Sequence, residues 1–141
     1  MTNKIEQLKN DLNNIPNLEV IYNHSDVKRL SRDFYNYSPV LQKKLDGCLA
    51  DVVVRPKNIE SLLAISKISW DLSIPLTIRG GGTGNYGQAV PLAKGIVLQM
   101  NYFNKLEKYY PDSGFVKVQS GCLMGDLNKE LGKYGRELRL F

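Results

Sequence analysis

The residues best suited to chemistry form a glycine-rich run, Arg79-Gly80-Gly81-Gly82-Thr83-Gly84-Asn85-Tyr86-Gly87-Gln88-Ala89, with five of the chain's 12 glycines between positions 80 and 87. Such a run loses much conformational entropy on folding, so it is useful where backbone must adopt positive φ or approach another group closely. Consecutive main-chain N–H groups curled into a concavity make an anion-binding nest, suited to a pyrophosphate. Thr83, Asn85 and Gln88 add short polar side chains to the same loop. The alternative is a long flexible loop without a ligand, which leaves so many adjacent glycines unexplained.

Two common phosphate motifs fail on context. Gly82 to Gly87 satisfies the string G-x-G-x-x-G, but that motif must open a helix, and Gln88-Ala-Val-Pro-Leu-Ala-Lys-Gly95 contains a proline and ends in glycine. A Walker A loop needs Gly-Lys-Ser/Thr, whereas Gly87 is followed by Gln88-Ala89.

Other reactive side chains offer less. Cys48 and Cys122 lie far apart, no C-x-x-C occurs, and His24 is the sole histidine, so neither a disulfide framework nor a metal site is indicated. Both cysteines are expected to be buried thiols, and His24 a surface or capping residue. Tyr35, Tyr37, Tyr86 and Tyr102 could line a pocket, but tyrosines usually pack with a wet tip. No residue is singled out as catalytic.

The elements that must position the loop are legible from periodicity. Val52-Val53-Val54, stopped by Pro56, reads as a strand; Asn58 is a good N-cap for a helix whose apolar positions are Ile59, Leu62, Leu63 and Trp70. Pro75 to Arg79 is a second strand, and a helix between two short strands fits a βαβ crossover with parallel strands. The glycine loop then leaves the carboxyl end of a parallel strand, where open α/β sheets bind ligands. Gly95 to Met100 is a third strand. Leu106 to Tyr110 and Phe115 to Gln119 form a hairpin around Pro111-Asp112-Ser113-Gly114, and Met124 to Tyr134 is a helix with Met124, Leu127 and Leu131 on one face and Gly135 as its C-cap. Asp126 and Asn128 are read as solvent-facing or capping residues.

The amino-terminal region is less regular. Asn3 and Glu6 have capping-box spacing before Ile5, Leu8 and Leu12, which predicts a helix ending near Asn13; Glu19 to Tyr22 reads as a short strand and Asn23 to Asp26 as a turn. Val27 to Gly47 reads as loop and short helix broken by Pro39, and Leu138 to Phe141 as a terminal strand. The expected class is α/β (α+β): residues 1–50 a helical and irregular segment, residues 51–141 a parallel βαβ unit followed by a hairpin and a helix.

Composition agrees with one folded domain. At 141 residues, 43% apolar and 23% charged, the chain matches ordinary globular proteins rather than disordered or repetitive ones. Its net charge of +5 comes from basic residues scattered among acids. Lys129, Lys133, Arg136 and Arg139 lack the interleaved aromatics of a single-strand binding surface, so no nucleic-acid partner is expected. No apolar run reaches the ~18–20 residues of a membrane span, and the polar start from Met1 to Leu12 points to a cytoplasmic protein.

Together, Val53-Val54-Arg55-Pro56, the helix, Ile74 to Gly84, Ala89-Val90-Pro91, Gly121 and Gly125-Asp126-Leu127-Asn128 resemble the FAD-binding domain of the p-cresol methylhydroxylase and vanillyl-alcohol oxidase flavoproteins, most of all their glycolate oxidase and D-lactate dehydrogenase branch. The resemblance covers about Asp51 to Phe141 in unbroken order. It implies a p-cresol-methylhydroxylase-type fold and an FAD-dependent oxidoreductase acting on a 2-hydroxy acid or similar CH–OH compound. It also implies that Gly80, Gly81, Gly82, Thr83 and Gly84 contact the FAD pyrophosphate, that Asn85, Gln88 and Ala89 continue along the cofactor, that Pro56 lies beside its adenosine half, and that Gly121 lets backbone approach the flavin. Arg79 is either a phosphate contact or the structural anchor of the loop. Some relatives attach flavin through a histidine at the place of Thr83; threonine cannot form that bond, which implies non-covalent FAD.

Relatives continue past the Leu138 to Phe141 segment into the second half of the FAD domain and a substrate-bearing cap domain. The expectation is therefore that these 141 residues hold the pyrophosphate cradle, bind FAD weakly and do not turn over alone. Two alternatives stand beside this: a non-catalytic subdomain that pairs with itself or a partner through an uncovered apolar edge, and a nucleotide-binding protein that recognises phosphate alone.

Overall fold

Strand formation is strongest where β-branched residues crowd together, and in the computed structural model, which describes residues 2–34 and 36–139, those segments are the centre of the molecule. Tyr35 and the end of the expected terminal strand at Leu140 and Phe141 lie outside the described residues, as does the side chain of Asn3 in the expected capping pair. The elements are α1 (Thr2–Asn13), β1 (Leu18–Ile21), α2 (His24–Leu30), α3 (Pro39–Leu45), β2 (Val52–Pro56), α4 (Ile59–Leu72), β3 (Leu76–Arg79), β4 (Ile96–Gln99), β5 (Leu106–Tyr110), β6 (Phe115–Val118) and α5 (Met124–Gly132).

Four strands form one sheet in the order β1-β2-β4-β3, with β2, β4 and β3 parallel and β1 antiparallel on the β2 edge. The strands flanking α4 are parallel as expected, but β4 inserts between them, so the crossover spans an intervening strand. β2 and β4 are apolar at successive positions because both sheet faces are covered. Val52, Val54, Ile96 and Leu98 pack with Leu8, Leu12 and Ile65 from α1 and α4, while Val53 and Val97 face Val27 and Leu30 of α2. Residues before Asp51 thus supply helices to both faces and one edge strand.

Several local expectations change in detail. Asn23 is the N-cap of α2, accepting from the Ser25 and Asp26 N–H groups, where a turn was expected. Pro39 occupies the first turn of α3 and starts that helix instead of breaking it, because its missing N–H has no intrahelical partner there in any case. Asn58 does cap α4, reciprocally with Ser61. The inward face of α4, however, carries Ser61 and Ile65 with Leu62, Ile68 and Leu72 beside them, while Ile59, Leu63 and Trp70 are exposed. An apolar-rich helix has two stripes of helical period, and the sheet selects only one.

The hairpin β5–β6 forms a separate two-stranded sheet, its turn closed by Gly114 at φ +70°. In α5, Leu127 and Leu131 are buried and Met124 is exposed; Gly135 takes φ +64°, and the Arg136 N–H returns to the Leu131 carbonyl. Asp126 pairs with Lys129 on the surface, and Asn128 accepts from the Leu138 N–H. Leu138 and Arg139 are not in a strand, and the thiols of Cys48 and Cys122 are half-buried and free.

Candidate functional site

Because β2, β4 and β3 run in the same direction, Pro56, Gln99 and Arg79 reach one edge of the sheet, and the glycine loop leaves that edge together with the segment following β4. The loop's first residue is pinned by the ladder: the Met100 N–H donates to the Arg79 carbonyl at 2.9 Å.

From Gly80 to Gly87 the chain forms neither helix nor strand. Among the described residues, no acceptor meets the main-chain N–H of Gly80, Gly81, Gly82, Thr83, Gly84 or Asn85. Six successive donors are therefore without an acceptor among the described residues. Gly82 sits at φ +69°, and a β-carbon there would overlap the Arg79 guanidinium. At Gly84 a β-carbon would stand 2.6 Å from Gln88 Oε1, which accepts from the Tyr86 N–H at 3.1 Å. The loop's far end is held by Asp33, whose Oδ2 accepts from the Gly87 N–H at 2.7 Å and whose Oδ1 accepts from the Tyr37 hydroxyl.

The Arg79 side chain packs against Gly82. Its side chain is buried, Nη1 donates to the Arg32 carbonyl, and Nε is buried without a partner among the described residues. Burial lowers its basicity and the nearby Asp33 carboxylate opposes that effect, yet no described carboxylate makes an ion pair with it. The anchoring alternative for Arg79 thus takes the form of a hydrogen bond to main chain rather than a salt bridge. A buried cation without an anion is costly, and an anion beside it would offset part of that cost.

Beside the loop's start is a cleft of about 270 Å³ bounded by Gly80, Gly81, Gln99, Asn101, Gly121 and Leu123. The Asn101 side-chain oxygen is buried and has no partner among the described residues. Gly121 forms one wall. A β-carbon there would overlap the Met100 carbonyl, and its N–H is already used, donating to the Phe103 carbonyl at 2.7 Å. Gly121 therefore allows close approach of backbone but offers no free donor. A larger hollow of about 560 Å³ between β5 and α5 is lined by solvent-facing charges such as Lys105, Glu107, Lys129 and Glu130, and it contains none of the expected site residues.

The structure thus brings Gly80, Gly81 and Gly121 to one cleft, stacks Gly82 on Arg79, and sets Gly84 against Gln88. Thr83 and Asn85 are exposed. Pro56 is buried at the end of β2 in register with Leu18, at the same sheet edge but outside the cleft, and Ala89 is buried beyond the loop next to Val90. Of the tyrosines, Tyr37 is tied to Asp33, Tyr102 donates to Glu19 at 2.9 Å, and Tyr86 is exposed. His24 is an exposed residue at the start of α2. Sequence reasoning missed Asp33, Gln99 and Asn101; no local spacing marks them, since each gains its place only through the sheet.

A family model described as FAD binding domain matches residues 50–141. A D-lactate dehydrogenase of Archaeoglobus fulgidus is 50% identical over 56 residues, covering 40% of this chain and 13% of that protein. The glycolate oxidase subunit GlcD of Escherichia coli is 32% identical over 107 residues, covering 76% and 20%. The chain therefore spans only about a fifth or less of these relatives. In fold it is similar to p-cresol methylhydroxylase solved with substrate bound, with a TM-score of 0.71 and 16% identity over 95% of this chain and 25% of that one. An alkyldihydroxyacetonephosphate synthase gives 0.72 and 16% over 96% and 27%. The family match at residues 50–141 takes in β2 to α5 and the glycine loop, more than half of the chain, and the chain belongs to the FAD binding domain family.

Proposed function

We propose that the chain is the pyrophosphate-holding part of an FAD-linked oxidoreductase acting on a 2-hydroxy acid or a similar CH–OH substrate. The observation that carries this reading is the row of six N–H groups, Gly80 to Asn85, without an acceptor among the described residues, in a loop whose Gly82 packs against the buried guanidinium of Arg79. Such a site fits a doubly charged diphosphate, because fixed main-chain dipoles need no reorganisation to replace its water.

In this reading Gly80, Gly81, Gly82, Thr83 and Gly84 donate to phosphate oxygens, and Arg79 acts through its charge. Asn85, Gln88 and Ala89 carry the loop onward along the cofactor. Pro56 ends β2 on the adenosine side, and Gly121 keeps the cleft wall thin. With Thr83 where covalent relatives place histidine, FAD is held non-covalently. Bound FAD supplies the redox chemistry, and the residues of this chain bind and orient it. The substrate class rests on the relatives' names, D-lactate dehydrogenase, D-2-hydroxyglutarate dehydrogenase and glycolate oxidase, each of which refers to a 2-hydroxy acid. Among the described residues no helix is long and apolar enough to cross a membrane, and a cytoplasmic location remains part of the proposal.

Titration of the 141-residue protein with FAD, FMN and ADP, followed by calorimetry and flavin fluorescence, tests this. Saturable FAD binding that ADP competes poorly, with all flavin released on denaturation, is the expected result. Absence of binding, or ADP binding as well as FAD, would reject it.

A second reading, an oligomerising or partner-binding module, draws support from the exposed line Ile59, Leu63 and Trp70 on α4 and from Ile78 on the edge strand β3. Light scattering after size exclusion decides it; a monodisperse monomer counts against pairing with itself.

A further inference from the structure

The two ends of the glycine loop are held by neighbouring residues of a distant segment. At the start, the Arg79 guanidinium donates to the Arg32 carbonyl; at the end, the Gly87 N–H donates to Asp33 Oδ2 at 2.7 Å. Between them lies the run of unaccepted N–H groups. We propose that Arg32-Asp33 is a clamp that presets the curvature of the loop, with Asp33 as the positioning residue for the cofactor. This rests on the reading of the loop as an FAD pyrophosphate cradle.

The clamp is built rather than incidental. Asp33 uses both carboxylate oxygens, one for Gly87 and one for the hydroxyl of Tyr37, whose ring is buried with Leu45 and Val90 in a small core of its own. Tyr37 therefore fixes the carboxylate, and the carboxylate fixes Gly87. Gly87 takes φ +80°, and its carbonyl accepts from the Val90 N–H at 3.0 Å, so the bonded residue also starts the turn leading back into the core. A glycine-rich loop left free at one end would have to be ordered when the ligand binds. Holding both ends in advance removes much of that entropic cost. Asp33 touches no phosphate in this arrangement; it acts through the loop.

The test uses the whole chain and two readouts. Exchange of the Gly87 amide, followed by NMR without FAD, reports the clamp itself, and FAD titration reports its consequence. Asp33→Ala is expected to speed Gly87 exchange and weaken FAD about 10- to 100-fold, the range for losing a hydrogen bond to a charged group. Asp33→Asn keeps an oxygen acceptor and should fall between wild type and Asp33→Ala in both readouts. Ser31→Ala removes the buried acceptor of the Ala50 N–H two residues away; it should lower stability while leaving Gly87 exchange and FAD affinity in place, which separates positioning from general destabilisation.

Wild-type FAD affinity together with unchanged Gly87 exchange in Asp33→Ala would overturn the clamp while leaving the cradle reading intact. If Asp33→Ala does not fold, the same result in Asp33→Asn overturns it. If wild type itself fails to bind FAD, the cradle reading falls and the cofactor role of Asp33 falls with it, whatever the exchange shows.

Discussion

Gly121 and Met100 meet backbone to backbone: the Gly121 α-carbon faces the Met100 carbonyl so closely that a β-carbon would overlap it and also stand 3.0 Å from the Phe103 carbonyl. With the Gly121 N–H on that same Phe103 carbonyl, the segment after β6 is joined to the segment after β4, and the junction forms one wall of the cleft. Gly121→Ala is expected to destabilise the protein by about 1–3 kcal/mol, because the atoms it meets are main chain and cannot turn away. Urea unfolding measures this, and an unchanged midpoint would show that the two segments part easily.

The loop glycines should differ among themselves. Alanine at Gly82 meets both an unfavourable φ and the buried Arg79 side chain, whereas alanine at Gly84 meets only the end of the Gln88 side chain, which can rotate. Gly82→Ala should therefore weaken FAD by roughly tenfold or more and Gly84→Ala by clearly less. Calorimetric titration of the two variants provides the ranking, and equal losses would mean that Arg79 does not support the loop.

Gly125, in the first turn of α5, has open space where a β-carbon would point. Gly125→Ala should leave the fold intact and stabilise it by up to about 1 kcal/mol through helix propensity. Thermal unfolding checks the sign; a loss would reveal a contact made by the bare backbone.

Tyr37 links stability to high pH. Burial, the hydrogen bond to Asp33 and the charge of that carboxylate together push its pKa up to about 12 from 10.0. A raised folded pKa favours the protonated phenol, so its contribution is fully present below pH 10 and is lost as pH rises through about 12. Tyr37→Phe should be less stable by about 0.5–1.5 kcal/mol at neutral pH. The gap to wild type should then narrow as pH rises above 10, as measured by urea unfolding at a series of pH values. A gap that widens there would contradict the assignment.

Arg55 ties three strands at the carboxyl edge: Nη1 pairs with Glu19 of β1 at 2.7 Å, and Nε donates to Gln99 of β4 at 2.8 Å. Both partners of the ion pair are only partly exposed, so the pair exceeds a surface bridge in worth. Arg55→Ala should cost about 1–3 kcal/mol with little dependence on salt. Unfolding at low and high ionic strength tests both parts.

Much of the architecture was legible in the chain because it rests on local rules. The β-branched run at Val52 to Val54, Asn58 at its helix start and the glycine crowding after Arg79 are each recorded within a few residues, and each appears where periodicity and turn chemistry place it. The inward stripe of α4 was not legible, since Ile59-Leu63-Trp70 and Ile65-Ile68-Leu72 both repeat with helical period and only the sheet surface chooses between them. Neither was Pro39, whose effect reverses according to whether it stands inside a helix or at its first turn.

The sequence by itself determined that a glycine-crowded loop follows a parallel strand, because bare amides and permissive φ are properties of glycine wherever it lies. Only the tertiary structure decided what holds the two ends of that loop. Asp33 lies 54 positions from Gly87, and Arg79 is buried 47 positions from the carbonyl it meets. Such pairings come from tertiary packing, because a hydrogen bond between distant segments depends on the distance that the fold sets and not on the order of residues along the chain.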